Sequence, residues 1–383
     1  MERPLYYDFR DVLRAPMRAF SIRKISVMTL FVCLALVSYD VLTYIALAIE
    51  GENPGYVWSV YGLFPFLVIS FDSTVAAVIF GLGIVLAQLM LMMGFFAVSA
   101  INIEEVRGHY FLTFPDAVRF AFRRLPQMFY AELAIALLVG FVILMFFLLG
   151  LVTRIPFAGE WLYALFFVFP GFFVALLTVF VILVLQVSLI LLPAVAAAER
   201  QGESFAAILE TFSTIIRQPL RWLGYTAYSL VTAKLCGFVY AYFCFRAVEF
   251  MTYAAGLGGG RERVTDLVRS GLSHLPANSD LVRATFNIFP GIDWSFSVYR
   301  WTRGGGDEAV GYLMAFMLFL VFASVIGYML ATVATAQARG YVVIRYIKDT
   351  YRISEEASLF FTDEPVNPPI GEEGVSGSAK QPK

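Results

Sequence analysis

The most constraining feature of the sequence is an uninterrupted run without a charged side chain, from Trp161 to Ala198. The run covers 38 residues, whereas a helix needs about twenty apolar residues to cross the roughly 30 Å hydrocarbon core of a bilayer. It therefore predicts a transmembrane helix that is too long for one perpendicular crossing. Pro170-Gly171 near its start favours a kinked or interfacial beginning followed by one tilted span. Two spans joined by a tight turn are the alternative.

Five further apolar stretches reach the length of a span. The chain is 60% hydrophobic and only 15% charged, whereas soluble domains are nearer half apolar and a quarter charged. We therefore predict an all-α fold, a polytopic transmembrane helical bundle that residues 1–352 form as a single domain. Its spans are expected to pair as three hairpins. The six predicted spans are 25–49, 73–101, 127–152, 161–197, 222–245 and 309–336.

Lys and Arg residues lie mostly on one side of the predicted spans. They are frequent in the N-terminal segment, after spans two and four, and in the C-terminal tail, whereas the 50–72 loop has none and the 153–160 loop has only Arg154. Because short cytoplasmic loops carry the excess of positive charge, both termini are predicted to be cytoplasmic. The predicted location is the plasma (inner) membrane of a bacterium, a source that the excess of Arg over Lys favours.

A short motif repeats at the predicted cytoplasmic ends of spans two, four and six. Each copy has an acid or amide, then two residues, then Gly. The copies are Glu105-Val-Arg-Gly108, Glu199-Arg-Gln-Gly202 and Gln337-Ala-Arg-Gly340. The motif predicts that each span ends in a similar turn and that the chain is built from repeated hairpins. Chance similarity between apolar segments is the alternative.

Amphipathic helices are predicted after the first two motif copies. Thr113 and Asp116 resemble a capping box at the start of the first helix, and Ser204 is the expected N-cap of the second. Both helices end at a proline, Pro126 or Pro219. A related amphipathic segment, 8–24, precedes span one. We expect these helices to lie in the inner interface, with apolar residues toward the bilayer and Arg toward lipid phosphate.

Paired spans that end in such a turn, followed by an amphipathic helix and a proline, resemble a loose group of bacterial six-helix membrane domains. The group includes uncharacterised families and the membrane-anchor domain of some glycerophosphodiester phosphodiesterases. The resemblance covers roughly residues 8–350, through short motifs. The chain departs from the last group because no soluble metal-dependent catalytic domain is attached. The resemblance implies a membrane domain without an active site that could be carried over.

Two ionisable residues fall deep inside the predicted spans. Asp40 lies in span one and Lys234 in span five, and both spans run from inside to outside, so the two side chains are expected at similar depth. We predict an ion pair between them, either as a structural contact or as the site of a proton- or ion-coupled transporter. Gln88 and Gln186 in spans two and four are candidates for interhelical hydrogen bonds or for the same transport site.

The 246–308 loop is the only long polar segment on the predicted extracytoplasmic side. Gly256–Gly260 and Gly304–Gly306 bracket it as flexible joints, and the residues from Val264 to Leu275 read as a short amphipathic helix. The loop is expected to pack along the outer surface, with a partner-docking surface as the alternative. The tail, 353–383, is predicted to be a disordered cytoplasmic segment.

No catalytic, metal or nucleotide-binding motif is recognisable, and we predict no enzyme activity and no cofactor. The net charge of −1 gives no support to nucleic-acid binding. Partners are therefore expected to be the lipid bilayer and another protein or a second copy of the chain. The first hypothesis is a non-catalytic scaffold or accessory subunit of a membrane assembly. The alternative is a small-molecule or ion transporter that uses Asp40 and Lys234.

Overall fold

The computed structural model describes residues 5–61, 71–110, 112–155, 158–199, 204–274, 308–356, 358 and 360, and all regular structure in these ranges is helical. A π-helical turn, Phe167–Gly171, and a 3-10 turn, Ile353–Glu355, accompany the α-helices. The α-helices are α1 (Phe9–Leu13), α2 (Ala15–Ala19), α3 (Ile22–Glu50), α4 (Pro54–Tyr61), α5 (Thr74–Val106), α6 (Phe114–Arg123), α7 (Leu125–Val152), α8 (Ala158–Phe166), α9 (Phe172–Ala198), α10 (Ser204–Arg217), α11 (Pro219–Gly259), α12 (Arg261–His274) and α13 (Glu308–Asp349).

Four of these helices are long and apolar enough to cross a membrane. Their spanning segments are Ile22–Glu50, Thr74–Val106, Pro219–Gly258 and Ala309–Asp349, which correspond to predicted spans one, two, five and six. An all-α membrane protein is thus the fold class that the described residues support. α7 and α9 lie at the positions of predicted spans three and four, and α7 includes a shorter apolar segment, Gly140–Val152.

The centre of the bundle is the seam where α3, α5 and α13 pack together. A Cβ atom on Gly94 of α5 would lie 2.9 Å from both the Sδ of Met28 and the Cβ of Phe31. A Cβ atom on Gly327 of α13 would lie 3.0 Å from the backbone nitrogen of Thr29. Glycine at these positions lets the three helix backbones approach closely, which is the usual way that helices associate in lipid.

α11 and α13 continue well beyond the predicted spans. At 1.5 Å per residue a helix of this kind is about 60 Å long, roughly twice the hydrocarbon thickness. The start of the predicted 246–308 loop is therefore helix, and the break comes at Gly260, which has a φ of +90°. α12 follows close to the position predicted for an amphipathic helix and folds back onto α13, where a Cβ on Gly271 would meet the side chain of Met314. Residues 275–307, with Gly304–Gly306, lie outside the described residues.

The uncharged run stays helical from α8 to the end of α9. The π-helical turn contains Pro170, whose missing N–H and ring prevent a regular helix at this point. The predicted irregularity at Pro170-Gly171 is confirmed, and a tight turn between two spans is absent from this described segment.

α6 and α10 lie where helices were predicted after the first two motifs. Thr113 caps α6, because its Oγ1 accepts a hydrogen bond from the backbone N–H of Asp116 at 3.4 Å. α10 begins at Ser204. Small residues of both helices, such as Ala117 and Ala207, are buried against the bundle, whereas Phe122 and Phe205 are exposed. Their location in a membrane interface stays a prediction.

The folded part of the chain extends beyond the predicted boundary at residue 352. Ile353 is fully buried in the main core, and the Phe360 ring lies 4.5 Å from the Phe120 ring of α6. The prediction of disorder from 353 onward is thus wrong for this segment, because it carries apolar side chains that pack on the bundle. Residues 361–383 lie outside the described residues.

Candidate functional site

Most of the buried charged side chains of the described residues lie at one end of the bundle. The start of α3, the ends of α5 and α9, the start of α11 and the last third of α13 meet there, and we call it the charged end. Lys24 of α3 is only 1% exposed. Its Nζ donates to Glu105 Oε2 and Asn102 Oδ1, both at 2.8 Å, and to the Arg18 carbonyl at 3.0 Å. All three protons of the ammonium are therefore used.

A second ionic centre surrounds Arg107, just after α5, with a completely buried side chain. Its Nη1 donates to Glu104 Oε1 at 2.9 Å, and its Nη2 donates to the carbonyl of Ala198 at 3.2 Å and to Glu356. Ser358 donates to the other oxygen of Glu104 at 2.6 Å. The C-terminal segment thus supplies two of the groups around this arginine.

Polar contacts join these two centres to α13 and α11. The amide nitrogen of Asn102 donates to Thr335 Oγ1 at 3.1 Å, and an Arg339 nitrogen lies 4.0 Å from Glu105 Oε2. Gln337 donates to Thr226 Oγ1 of α11 at 2.9 Å. The three helices are therefore held in register by buried side-chain hydrogen bonds as well as by packing.

An outer ring of ion pairs attaches α9 and α10 to the end of α13. Arg345 lies 3.4 Å from Glu199 and donates to the Tyr341 hydroxyl at 2.7 Å. Lys348 lies 2.6 Å from Glu210 of α10. The acids of these pairs are partly exposed, so we expect the loss of one partner to cost less here than at the buried pairs.

The structure brings together the first residues of the three motif copies, although their contacts differ. Glu105, Glu199 and Gln337 each contact a neighbouring helix at the charged end. Gly108 has a φ of +91° and follows α5 in a turn, as predicted. The turn predicted at Gly340 is wrong, because α13 continues past it and a Cβ there would lie 3.3 Å from the Tyr225 ring. Gly202 lies outside the described residues.

The ion pair predicted between Asp40 and Lys234 is absent from the described part of the chain. α3 packs on α5 and α13, whereas α11 packs on α13 and α12, so equal depth did not make these residues neighbours. Asp40 is buried, and its Oδ1 has no hydrogen-bond partner among the described residues. Gln88 is half-buried on α5, and the side chain of Gln186 lies outside the described residues.

Sequence reasoning missed Lys24, Asn102, Glu104, Arg107 and Arg339 as members of the cluster. A local signal for the cluster lies in and just before the first motif copy. Four polar residues occur there within six positions, at the end of a long apolar run: Asn102, Glu104, Glu105 and Arg107. The arginines were interpreted as cytoplasmic charge that faces lipid or water. Their burial depends on carboxylates from distant parts of the chain, which no local pattern reveals.

The buried charged groups of the charged end fix the arrangement of the helices, as the properties of buried ion pairs indicate. Buried ion pairs add little net stability, yet loss of one partner is strongly destabilising, so they favour one helix arrangement over others. Among the described residues, no three His, Cys, Asp or Glu side chains lie together as a metal-binding group.

Comparison with known proteins identifies no relative of this chain. No family model matches it, and neither a curated protein nor a solved structure is significantly similar to it. The resemblance to six-helix membrane domains therefore stays a prediction that rests on the motifs.

Proposed function

We propose that the protein is a non-catalytic membrane scaffold or accessory subunit, with six spans arranged as three hairpins and the charged end in the cytoplasm. Four helices of spanning length support a membrane location. α7 has 28 residues and α9 has 27, each above the roughly twenty that a crossing needs. The lysines and arginines at the charged end support the orientation.

The filled interior of the α3–α5–α13 seam is the observation that carries this proposal. Met28, Phe31, Met93 and Phe96 are fully buried there, and Gly94 leaves no space even for a methyl group. A transporter needs a hydrated path that opens to alternate sides, usually at broken helices near the bilayer midplane. Two cavities lie at the charged end, one lined by Tyr346 and Arg352 and one by Phe9 and Leu220, and neither is lined by Asp40.

One observation favours the transporter as a second candidate. Asp40 is buried in a spanning helix with a carboxylate oxygen that lacks a hydrogen bond in the described structure. Acidic residues at membrane depth are often proton or ion sites. In that case Asp40 would be the group that binds the coupled ion, with Gln88 of α5 as a further candidate for the same site.

The two functions are separated by a paired experiment. Tagged protein is purified from its own membranes in mild detergent after cross-linking, and the same protein is reconstituted into vesicles for pH-driven flux measurements. The scaffold predicts a partner in fixed stoichiometry and no flux above that of Asp40→Asn. If the wild type shows flux that Asp40→Asn abolishes, and no partner is recovered, the protein is a transporter and the scaffold proposal is wrong.

The span count has its own test. Reporter fusions at Arg154 and Glu203 should report opposite sides of the membrane if α9 crosses once. The same side for both positions would contradict the six-span topology and leave the four spans that the helices already support.

A further inference from the structure

A groove opens on the surface of the charged end, between α1 and the first turns of α11. It has a volume of about 340 Å³. α1 contributes one wall and α11 the other, and the lining is apolar except for one arginine and two tyrosines. The lining residues are Phe9, Val12, Leu13, Leu220, Arg221, Gly224, Tyr225 and Tyr228.

The groove is a fixed part of the fold. Val12 is buried against Ala336 and Val343 of α13, which anchors α1 to the bundle. The hydroxyl of Tyr228 donates to the carbonyl of Leu13 at 2.8 Å and ties the two walls together. The shape of the groove therefore does not depend on an occupant.

The chain itself leaves the groove unfilled. Leu220 is 82% exposed, and Phe9 and Leu13 are also exposed. A Cβ atom on Gly224 would have no other atom within 4 Å. Large apolar side chains beside open space at the start of a spanning helix form a surface that an acyl chain of the bilayer can cover.

The lining of the groove has one cationic side chain, Arg221. Arg221 is exposed and makes no ion pair among the described residues, and it lies in the first turn of α11, where the helix dipole adds positive potential. Arg10 and Arg14 of the opposite wall both lie over the Tyr6 ring. The nearby acids are engaged, since Asp8 pairs with Arg10 at 3.5 Å and Asp11 accepts from the backbone N–H groups of Tyr6 and Tyr7.

We propose that this groove binds one anionic phospholipid. The acyl chain lies between the Phe9 and Leu13 wall and the Leu220 and Gly224 wall, and the phosphate binds Arg221. An apolar channel below a cationic rim, at the start of a membrane span, matches the order of chain and headgroup in a lipid. A lipid site is independent of the scaffold function, since it needs only that α11 enters a bilayer here.

The proposal separates into a charge test and a shape test. Arg221→Gln removes the cation, and Gly224→Leu adds an apolar side chain to the groove from a position where its Cβ meets no other atom within 4 Å. Arg263→Gln on α12 is the control for an exposed arginine elsewhere. Gly140→Leu on α7 is the control for a glycine whose Cβ position is equally open.

Each variant is reconstituted into mixed phosphatidylcholine and phosphatidylglycerol bilayers, extracted gently, and examined by native mass spectrometry for retained lipid. We expect wild type and both controls to retain one phosphatidylglycerol. Arg221→Gln should retain about fivefold less, because one arginine near a lipid surface is worth about 1 kcal/mol. Gly224→Leu should retain neither phosphatidylglycerol nor phosphatidylcholine, with the thermal unfolding temperature unchanged.

Three results would overturn the proposal. If Arg221→Gln retains as much phosphatidylglycerol as the wild type, Arg221 does not bind the phosphate. If Gly224→Leu retains as much as the wild type, the acyl chain does not lie in the groove. Displacement of the bound species by inorganic phosphate alone would show an anion site without a lipid. A missing protein partner contradicts the scaffold function only and leaves these readouts unaffected.

Discussion

The α3–α5 pair and the α7–α9 pair of helices are both strongly apolar, yet the rest of the molecule covers them to very different extents. In the first, Phe96 is 0% exposed and Gly94 lies against Phe31. In the second, Phe141 is 60% exposed and Leu177 is 62% exposed. Gly140 and Gly150 of α7 have no neighbour within 4 Å of a Cβ position. α3 and α5 form the core of the bundle, whereas α7 and α9 join that core near the charged end, through residues such as Met128, Leu191 and Ala198, and expose the side chains named above.

The contrast shows that the apolar character of a membrane helix does not determine whether it packs closely on other helices. Lipid tails solvate leucine as well as another helix does, so burial of apolar surface cannot draw two spans together. Close approach at small residues and interhelical polar contacts can. α3 and α5 have both, in Gly94 and in the Lys24–Glu105 pair. The described outer part of α7 has neither.

The largest expected effect comes from the charge that joins α5 to the rest of the charged end. Arg107→Gln leaves the buried Glu104 and the partly buried Glu356 without their cation, and we expect a loss of about 3–5 kcal/mol in the free energy of unfolding. Unfolding in mixed micelles by increasing denaturing detergent measures it. The control is Arg246→Gln, in an exposed pair with Glu249, which should have no measurable effect. A similar loss in both variants would mean that burial of the pair is irrelevant.

A smaller effect is expected from a single methyl group at the helix crossings. Gly94→Ala places a Cβ 2.9 Å from Phe31, and such overpacking costs about 1–3 kcal/mol. Gly140→Ala on α7 meets nothing and should stabilise the helix slightly through its higher propensity. The same unfolding assay compares the two. If Gly140→Ala proves as costly as Gly94→Ala, α7 has a close neighbour at Gly140 and the contrast between the two helix pairs is wrong.

The smallest effect concerns a single interhelical hydrogen bond. Thr335→Val removes the acceptor of the Asn102 amide, and such bonds in membrane bundles contribute about 0.6 kcal/mol on average. Thr178→Val on α9 removes only a bond to the carbonyl of Val174 in the same helix, so we expect no change in bundle stability. Equal stability of Thr335→Val and wild type would assign the register of α5 and α13 to packing alone.

The sequence predicts spanning helices well because of backbone hydrogen bonding. A segment without charges in lipid must satisfy its own N–H and C=O groups, so its hydropathy indicates a helix directly. The positions of α6 and α10 also follow from local signals, such as Thr113 before an apolar stripe. These features depend on residues close together in the chain.

Contacts between helices were predicted less well, since hydropathy gives depth but not rotation or neighbours. Counting residues along the spans puts Asp40 and Lys234 at equal depth, yet α3 packs mainly on α5 and α13, whereas α11 packs mainly on α13 and α12. The turn predicted at Gly340, in the third motif copy, is wrong for a related reason. A glycine that admits the Tyr225 ring and a glycine that makes a turn look identical in sequence, and only the packing separates Gly340 from Gly108.

The pairing of Arg107 has a consequence for the order in which the protein is made. Arg107 can contact Glu104 as soon as α5 is synthesised, but Glu356 follows 249 residues later. Ser358, which completes Glu104, follows that carboxylate by 254 residues. Until these two residues are synthesised, Arg107 has Glu104 as its acidic partner and the second oxygen of Glu104 lacks the Ser358 hydroxyl. The charged end therefore reaches its complete set of contacts only after α13 and the segment that follows it have been made.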